Sequence, residues 1–166
     1  MNLIKKPLWV IDFEASGLNK SSYPIEVGVI GENGRYSSLI FQEEPWTYWS
    51  KDSEAVHGIS TEELVEGGLE AIVVAKELNR LLDCATVYTD CKKWDQFWLD
   101  VLFECCGLTP TFQLVHLPLE LNEDQGELFL TAYENIKNGG SYTEHRALDD
   151  ASLIYESLVD IGFNTH

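Results

Sequence analysis

Basic residues are scarce in this sequence: 11 Lys and Arg stand against 28 Asp and Glu, leaving a formal charge of −17 over 166 residues. That balance argues against a sequence-independent clamp on long nucleic acid, because such binding is built on neutralising phosphates with Lys and Arg. It disfavours an anionic membrane surface for the same reason. Long apolar runs are missing too. The stretch at residues 8–11 (LWVI) is broken at once by Asp12 and Glu14, so neither a signal peptide nor a membrane span is predicted, and the expected compartment is the cytoplasm. Cys84, Cys91, Cys105 and Cys106 form no C-x-x-C pair and have no His at zinc spacing. They are read as reduced, mostly structural residues of the kind that proteins bury. Low-complexity segments, internal repeats and Pro/Gly/Ser-rich linkers are absent, which predicts one domain over residues 1–166. Hydrophobic residues make up 45% of the chain. A chain of this size buries roughly two-thirds of its unfolded surface, so a core can form without disulfides.

Residues 8–13 (LWVIDF), 25–30 (IEVGVI) and 35–41 (RYSSLIF) are β-rich, and Gly31-Glu32-Asn33-Gly34 between the last two is a hairpin signal. An antiparallel meander is therefore expected in the first third. Ser60 followed by Glu63 has the spacing of a capping box, and residues 69–83 carry apolar positions at helical spacing. A strand at 85–89, a helix at 94–106, a strand at 112–117 and helices at 124–137 and 146–161 follow. Three strands and then alternating helices and strands predict an α/β fold, a mixed β-sheet covered by α-helices.

In the first strand Asp12 and Glu14 lie two apart, on the face shared with Leu8 and Val10, while Trp9, Ile11 and Phe13 line the other face. An apolar strand that turns acidic at its end is either emerging into solvent or building a site for a hard cation, since Mg²⁺ takes oxygen ligands and one or two carboxylates. Two further segments carry similar residues. Asp90 and Asp95 lie just after a predicted strand and near a helix start, where either could cap the helix; His145 to Asp150 (HRALDD) opens the last helix. A histidine before a helix and a carboxylate one turn inside it can converge on one cleft.

Taken together, Ile11-Asp12-Phe13-Glu14-Ala15-Ser16-Gly17-Leu18, Asp90 to Asp95 with Trp94 where Phe is usual, and His145 to Asp150 resemble the motifs of the DEDDh 3′-to-5′ exonucleases, the group that includes polymerase proofreading subunits, RNase T and oligoribonuclease. Val56-His57-Gly58-Ile59-Ser60 resembles the H-G-[IL]-[ST] segment of the proofreading and RNase T groups rather than the oligoribonuclease pattern. Four motifs in order form a specific signal where one alone is weak. The resemblance spans almost the whole chain and implies a ribonuclease-H-like fold. It also implies that Asp12, Glu14, Asp95 and Asp150 hold two Mg²⁺ or Mn²⁺ ions, with His145 as general base. The H-x-x-x-x-D spacing selects Asp150 over Asp149, and the tyrosine variant of the family is excluded because no Tyr stands at the histidine position.

The implied substrates are 3′ ends of single-stranded nucleic acid, with short RNA or DNA oligonucleotides more compatible with the charge than long duplexes. Gly17, Leu18, His57, Gly58 and Ile59 would border the terminal nucleotide, the glycines allowing close approach and Leu18 or Ile59 pressing on a base. Their alternative roles are turn and core. Trp46, Tyr48 and Trp49 form an aromatic cluster in an expected loop, open to stacking nucleotides or to contacting a partner, whereas Trp94, Phe97 and Trp98 are expected to pack their helix on the sheet. Lys20, Lys51, Lys92, Lys93 and Arg146 each lie within six positions of an expected site residue. No sequence feature marks an interface, although several family members are homodimers. Two competing readings stand beside the exonuclease. One is a catalytically weak module on the same fold that binds proteins or a polymerase, against which the intact five-residue set argues. The other is a ribonuclease-H-type endonuclease. Two bound divalent ions would bring the formal charge of −17 to −13.

Overall fold

The structure is a computed structural model that describes residues 6–165. Its centre is a five-stranded mixed sheet in the order β3-β2-β1-β4-β5. Strands β1 (Trp9–Ala15), β2 (Pro24–Gly31) and β3 (Gly34–Leu39) form the expected meander, with Gly31 opposite Gly34 across the hairpin. Helices α1 (Lys51–His57), α2 (Thr61–Gly67) and α3 (Ala71–Leu82) lead to β4 (Thr86–Thr89), which lies parallel to β1. Helix α4 (Lys92–Cys106) then crosses to β5 (Gln113–His116), parallel to β4, and α5 (Glu123–Gly139) and α6 (Ala147–Asp160) close the chain. No described helix is long and apolar enough to cross a membrane.

The alternation in β1 divides the core between the two sides of the sheet. Trp9, Ile11, Phe13 and Ala15 pack in a larger cluster with Val74, Leu78, Leu99 and Leu102 of α3 and α4. Leu8 and Val10 pack on the opposite side with Ala151, Ile154 and Leu158 of α6. Asp12 and Glu14 continue the α6 side, so the strand that anchors both cores also carries two carboxylates toward the start of α6. The expected capping box forms at α2, where Ser60 and Glu63 satisfy each other's backbone N–H groups. A second one, Asn122 with Gln125, starts α5.

Helix α1 was not foreseen, because KDSEAVH carries only two aliphatic residues and no apolar stripe. It is set by local chemistry: Ser50 accepts from the Ser53 N–H at 3.2 Å, and Gly58 ends the helix in the left-handed region. The cysteines also depart from expectation. All four are free, but Cys84, Cys91 and Cys105 are exposed and Cys106 is half-buried, since their segments lie at helix ends and in loops rather than in the core.

Candidate active site

The five residues singled out from the sequence meet at the end of the sheet where β1 and β4 finish. Asp12 and Glu14 come from the second half of β1, and Asp95 lies in the first turn of α4. Asp150 lies one turn into α6, and His145 stands in the left-handed region just before it, at φ 59°. The C-terminal ends of parallel strands are where α/β sheets open a crevice. Ligand atoms of Glu14, His145 and Asp150 lie within 4.8 Å of one another, and so do those of Asp12, Asp90 and Asp95.

The second group adds a residue whose part sequence reasoning missed. The sequence position of Asp90 allows a helix cap, yet Cys91 occupies the N-cap position and no side chain caps α4. The signal was available: like Asp12 and Glu14, Asp90 is an acid directly following a buried run of strand. Asp95 does not cap the helix either; it is buried and accepts a hydrogen bond from the Thr89 hydroxyl.

Helix α6 is held against the sheet by two features. At Gly28 of β2 a side chain would collide with the backbone of Ala147 and Leu148, so the helix start rests directly on the strand. Beside it, buried Glu26 accepts from the Arg146 side chain, at 2.7 Å from Nη2, and from the Ala147 N–H at 3.0 Å. The His145 N–H donates to Asp150 Oδ2 at 3.0 Å. The backbone thus sets the loop, and among the described residues the exposed His145 imidazole makes no hydrogen bond.

A cavity of about 400 Å³ opens beside Glu14 and His145 and is bordered by Gly17, Leu18, Val56, His57 and Trp98. Leu18 is 69% exposed and Val56 56% exposed, so apolar groups stay in solvent at its rim. Gly17 lies under the Tyr48 ring, where a Cβ would sit 2.6 Å from Cε1. The His57 ring accepts from the Ile59 N–H at 3.0 Å and meets the edge of Trp49 at 6.0 Å between centroids. Two expected contacts do not reach the cavity. Ile59 is 1% exposed and packs in the larger core, and Gly58 is the cap of α1. Both follow from α1, which turns only the His57 end of the segment toward the opening. Of the aromatic cluster, Trp46 is buried and stacked on Tyr23, 5.2 Å between centroids, while Tyr48 and Trp49 pack on Gly17 and His57. Trp94 and Trp98 stack on each other at 5.5 Å, as expected of packing residues, but Trp98 also reaches the cavity wall.

The electrostatics of this end are those of acids held together with too little counter-charge: Arg146 lowers Glu14 and His145 lowers Asp150, but burial outweighs both. Asp12 is pushed well above the usual carboxylate range, first by burial and then by Asp95, Glu14, Asp90 and Asp150. Burial, with Asp150 and Glu26 adding to it, raises Glu14 to about 8. Burial also raises Asp95 to about 7 against the lowering effect of the Thr89 hydroxyl, and Asp150 to about 6 against that of His145. Asp12 Oδ2 is buried with no hydrogen-bond partner. A buried acceptor of this kind is costly unless something binds it. The all-carboxylate set of Asp12, Asp90 and Asp95, with one orphaned oxygen, suits a hard divalent cation such as Mg²⁺ or Mn²⁺.

These shifts fix a sign for stability. Unfolded carboxylates titrate near 4, so between about pH 4 and 8 the metal-free folded state holds protons that the unfolded state has released, and stability falls as pH rises. In EDTA the melting temperature should drop by roughly 5–10 °C from pH 5 to pH 8. Excess Mg²⁺ should restore most of that loss at pH 8 and little at pH 5, where protons compete for the ligands. Differential scanning fluorimetry across pH checks this; a melting temperature in EDTA that is flat or rises over the range would contradict the repulsion.

No family model and no curated protein matches the sequence. Solved structures do match the fold. Exonuclease I of E. coli in complex with a dA16 oligonucleotide aligns at a TM-score of 0.71 and 12% identity, covering 90% of this chain and 39% of that one. A 3′-exonuclease described as giving 3′-end specific recognition of the histone mRNA stem-loop aligns at 0.66 and 15% identity, covering 96% and 63%. Exonuclease I of Methylocaldum szegediense aligns at 0.64 and 12%, covering 94% and 40%. The chain therefore has the ribonuclease-H-like fold of these exonucleases, as its sequence led us to expect. It spans about two-fifths of the length of exonuclease I.

Proposed function

We propose that this chain is a metal-dependent 3′-to-5′ exonuclease domain of the DEDDh type that hydrolyses phosphodiester bonds at the 3′ end of single-stranded nucleic acid, including short RNA or DNA oligonucleotides. The observation that carries the reading is the unpaired, buried Oδ2 of Asp12, a member of one of two acidic ligand sets at this end of the sheet and electrostatically coupled to Glu14 and Asp150 of the other. Asp12, Glu14, Asp95 and Asp150 are the residues to hold two Mg²⁺ or Mn²⁺ ions, with Asp90 on their open side. When bound, such ions offset the carboxylate charge and stabilise the charge developing on the phosphate oxygens.

The protein's own part is orientation and proton transfer. His145 stands exposed on the rim next to Glu14 and Asp150, and an imidazole there can accept the proton of an attacking water. Asp150 fixes the His145 backbone, so the base is carried by the same helix start that supplies a ligand. Leu18, Val56 and Trp98 offer the terminal nucleotide an apolar wall that excludes water, Gly17 lets it approach the β1 backbone, and His57 closes the cavity. Ile59 and Gly58 take part indirectly, by holding His57 in place. Following a 5′-labelled single strand with Mg²⁺ or Mn²⁺ tests the reading: stepwise shortening from the 3′ end supports it, internal cuts indicate an endonuclease, and no cleavage indicates a non-catalytic module.

A further inference from the structure

A second cavity, of about 510 Å³, also reaches the carboxylates. It is lined by Asp90, Lys92, Lys93, Gln96, His116 and Leu119, among others, and so meets the Asp12 and Asp95 group through Asp90, whereas the Leu18 cavity meets the other group through Glu14 and His145. The two cavities flank the acids.

The chemistry of the second cavity is opposite to that of the surface around it. Lys92 and Lys93 are two of only 11 basic residues, and among the described residues neither joins an ion pair. They occupy the first two positions of α4, where the positive end of the helix dipole disfavours cations. Local preference would place acids there. Lys93 is further tethered over the Trp94 ring at 5.5 Å. His116 Nδ1 is buried without a hydrogen-bond partner, and Leu119 is 80% exposed. Two cations outside any ion pair and a bare aliphatic side chain are the groups that a phosphate and a sugar or base would meet, with Asp90 marking the carboxylate end of the cavity.

We infer that this trough holds the sugar-phosphate backbone on the 5′ side of the scissile bond, with Lys92 and Lys93 on the next phosphate upstream. The inference rests on the exonuclease reading, which seats the 3′ nucleotide in the Leu18 cavity. A dinucleotide without a 5′ phosphate then stops short of the lysines, and a trinucleotide is the shortest unphosphorylated strand to reach them. The electrostatic grip is confined to one trough, which suits a protein of such negative charge to single strands.

The test compares wild type with Lys92→Ala/Lys93→Ala and with Lys92→Arg/Lys93→Arg on a pentanucleotide and on an unphosphorylated dinucleotide. The alanine pair should lower kcat/KM on the pentanucleotide about tenfold or more through KM and leave the dinucleotide unchanged, while the arginine pair retains wild-type values. Binding of a fluorescein-labelled decanucleotide in Ca²⁺ provides an independent readout: losing the contact to that one phosphate should reduce the slope of log K against log salt by about 0.7. An unchanged slope, or equal losses on both substrates, would overturn the trough. If wild type cleaves neither substrate, the exonuclease reading fails, and the salt slope still decides whether the lysines hold a strand.

Discussion

Asp12→Asn is expected to cost at least about a hundred- to a thousandfold in kcat while making the metal-free protein more stable at pH 8. The two effects have one cause. Asp12 sits on the central strand with one oxygen buried and unpaired, and burial together with Asp95, Glu14, Asp90 and Asp150 pushes its pKa upward. An amide of the same shape removes the charge those neighbours repel, so the apo fold gains; it also removes a ligand from the centre of the site, and loss of a single group that stabilises developing charge typically costs this much in rate. Kinetics with saturating Mg²⁺ and melting curves in EDTA measure the two sides. Should the substitution destabilise the metal-free protein while sparing turnover, Asp12 would be a packing residue and not a ligand.

His145→Asn should lower kcat by about a hundred- to ten-thousandfold, the range usual for a positioned general base, with metal binding and fold retained. Asparagine is chosen because it tolerates the left-handed backbone that His145 adopts at φ 59°, which alanine would strain. The backbone N–H bond to Asp150 does not depend on the side chain. The activity lost in the variant should therefore reflect proton transfer. Calorimetry should return unchanged Mg²⁺ or Mn²⁺ affinity. Weakened metal binding in step with the lost rate would make His145 a ligand, and full activity would remove it from the chemistry.

The residues that were legible in the sequence are those for which local pattern and tertiary need coincide. In β1 the alternation that fills two cores also shows Asp12 and Glu14 as acids on an inward-facing register, and the structure keeps them there. Asp95, His145 and Asp150 are weak candidates on local pattern alone, and the family resemblance joins them into one set. Nothing at Lys92–Cys106 announces that its first-turn acid will be buried against β4 rather than capping the helix. Asp90 is the complementary case: an acid before a helix has an ordinary explanation in capping, but the N-cap position falls to Cys91 and Asp90 lies beside Asp12 and Asp95. Ile59 and Trp49 are harder still, Trp49 bonding to Glu54 and meeting His57. Their environment is decided by α1, a short polar helix stabilised by its Ser50 cap and Gly58 terminus, with no hydrophobic period to reveal it. Likewise the Glu26 and Arg146 pair joins residues 120 positions apart, a contact that no local pattern encodes but that sets where α6, and with it Asp150, begins.

The most direct measurement is the product ladder from 5′-labelled single-stranded RNA and DNA incubated with the wild-type protein and Mg²⁺ or Mn²⁺, beside an EDTA control and Asp12→Asn. The arrangement at the ends of β1 and β4 predicts loss of one nucleotide at a time from the 3′ end, absent in EDTA and suppressed by the substitution. Internal fragments, or an intact strand alongside protein whose melting curve shows that it has bound the metal, would contradict it.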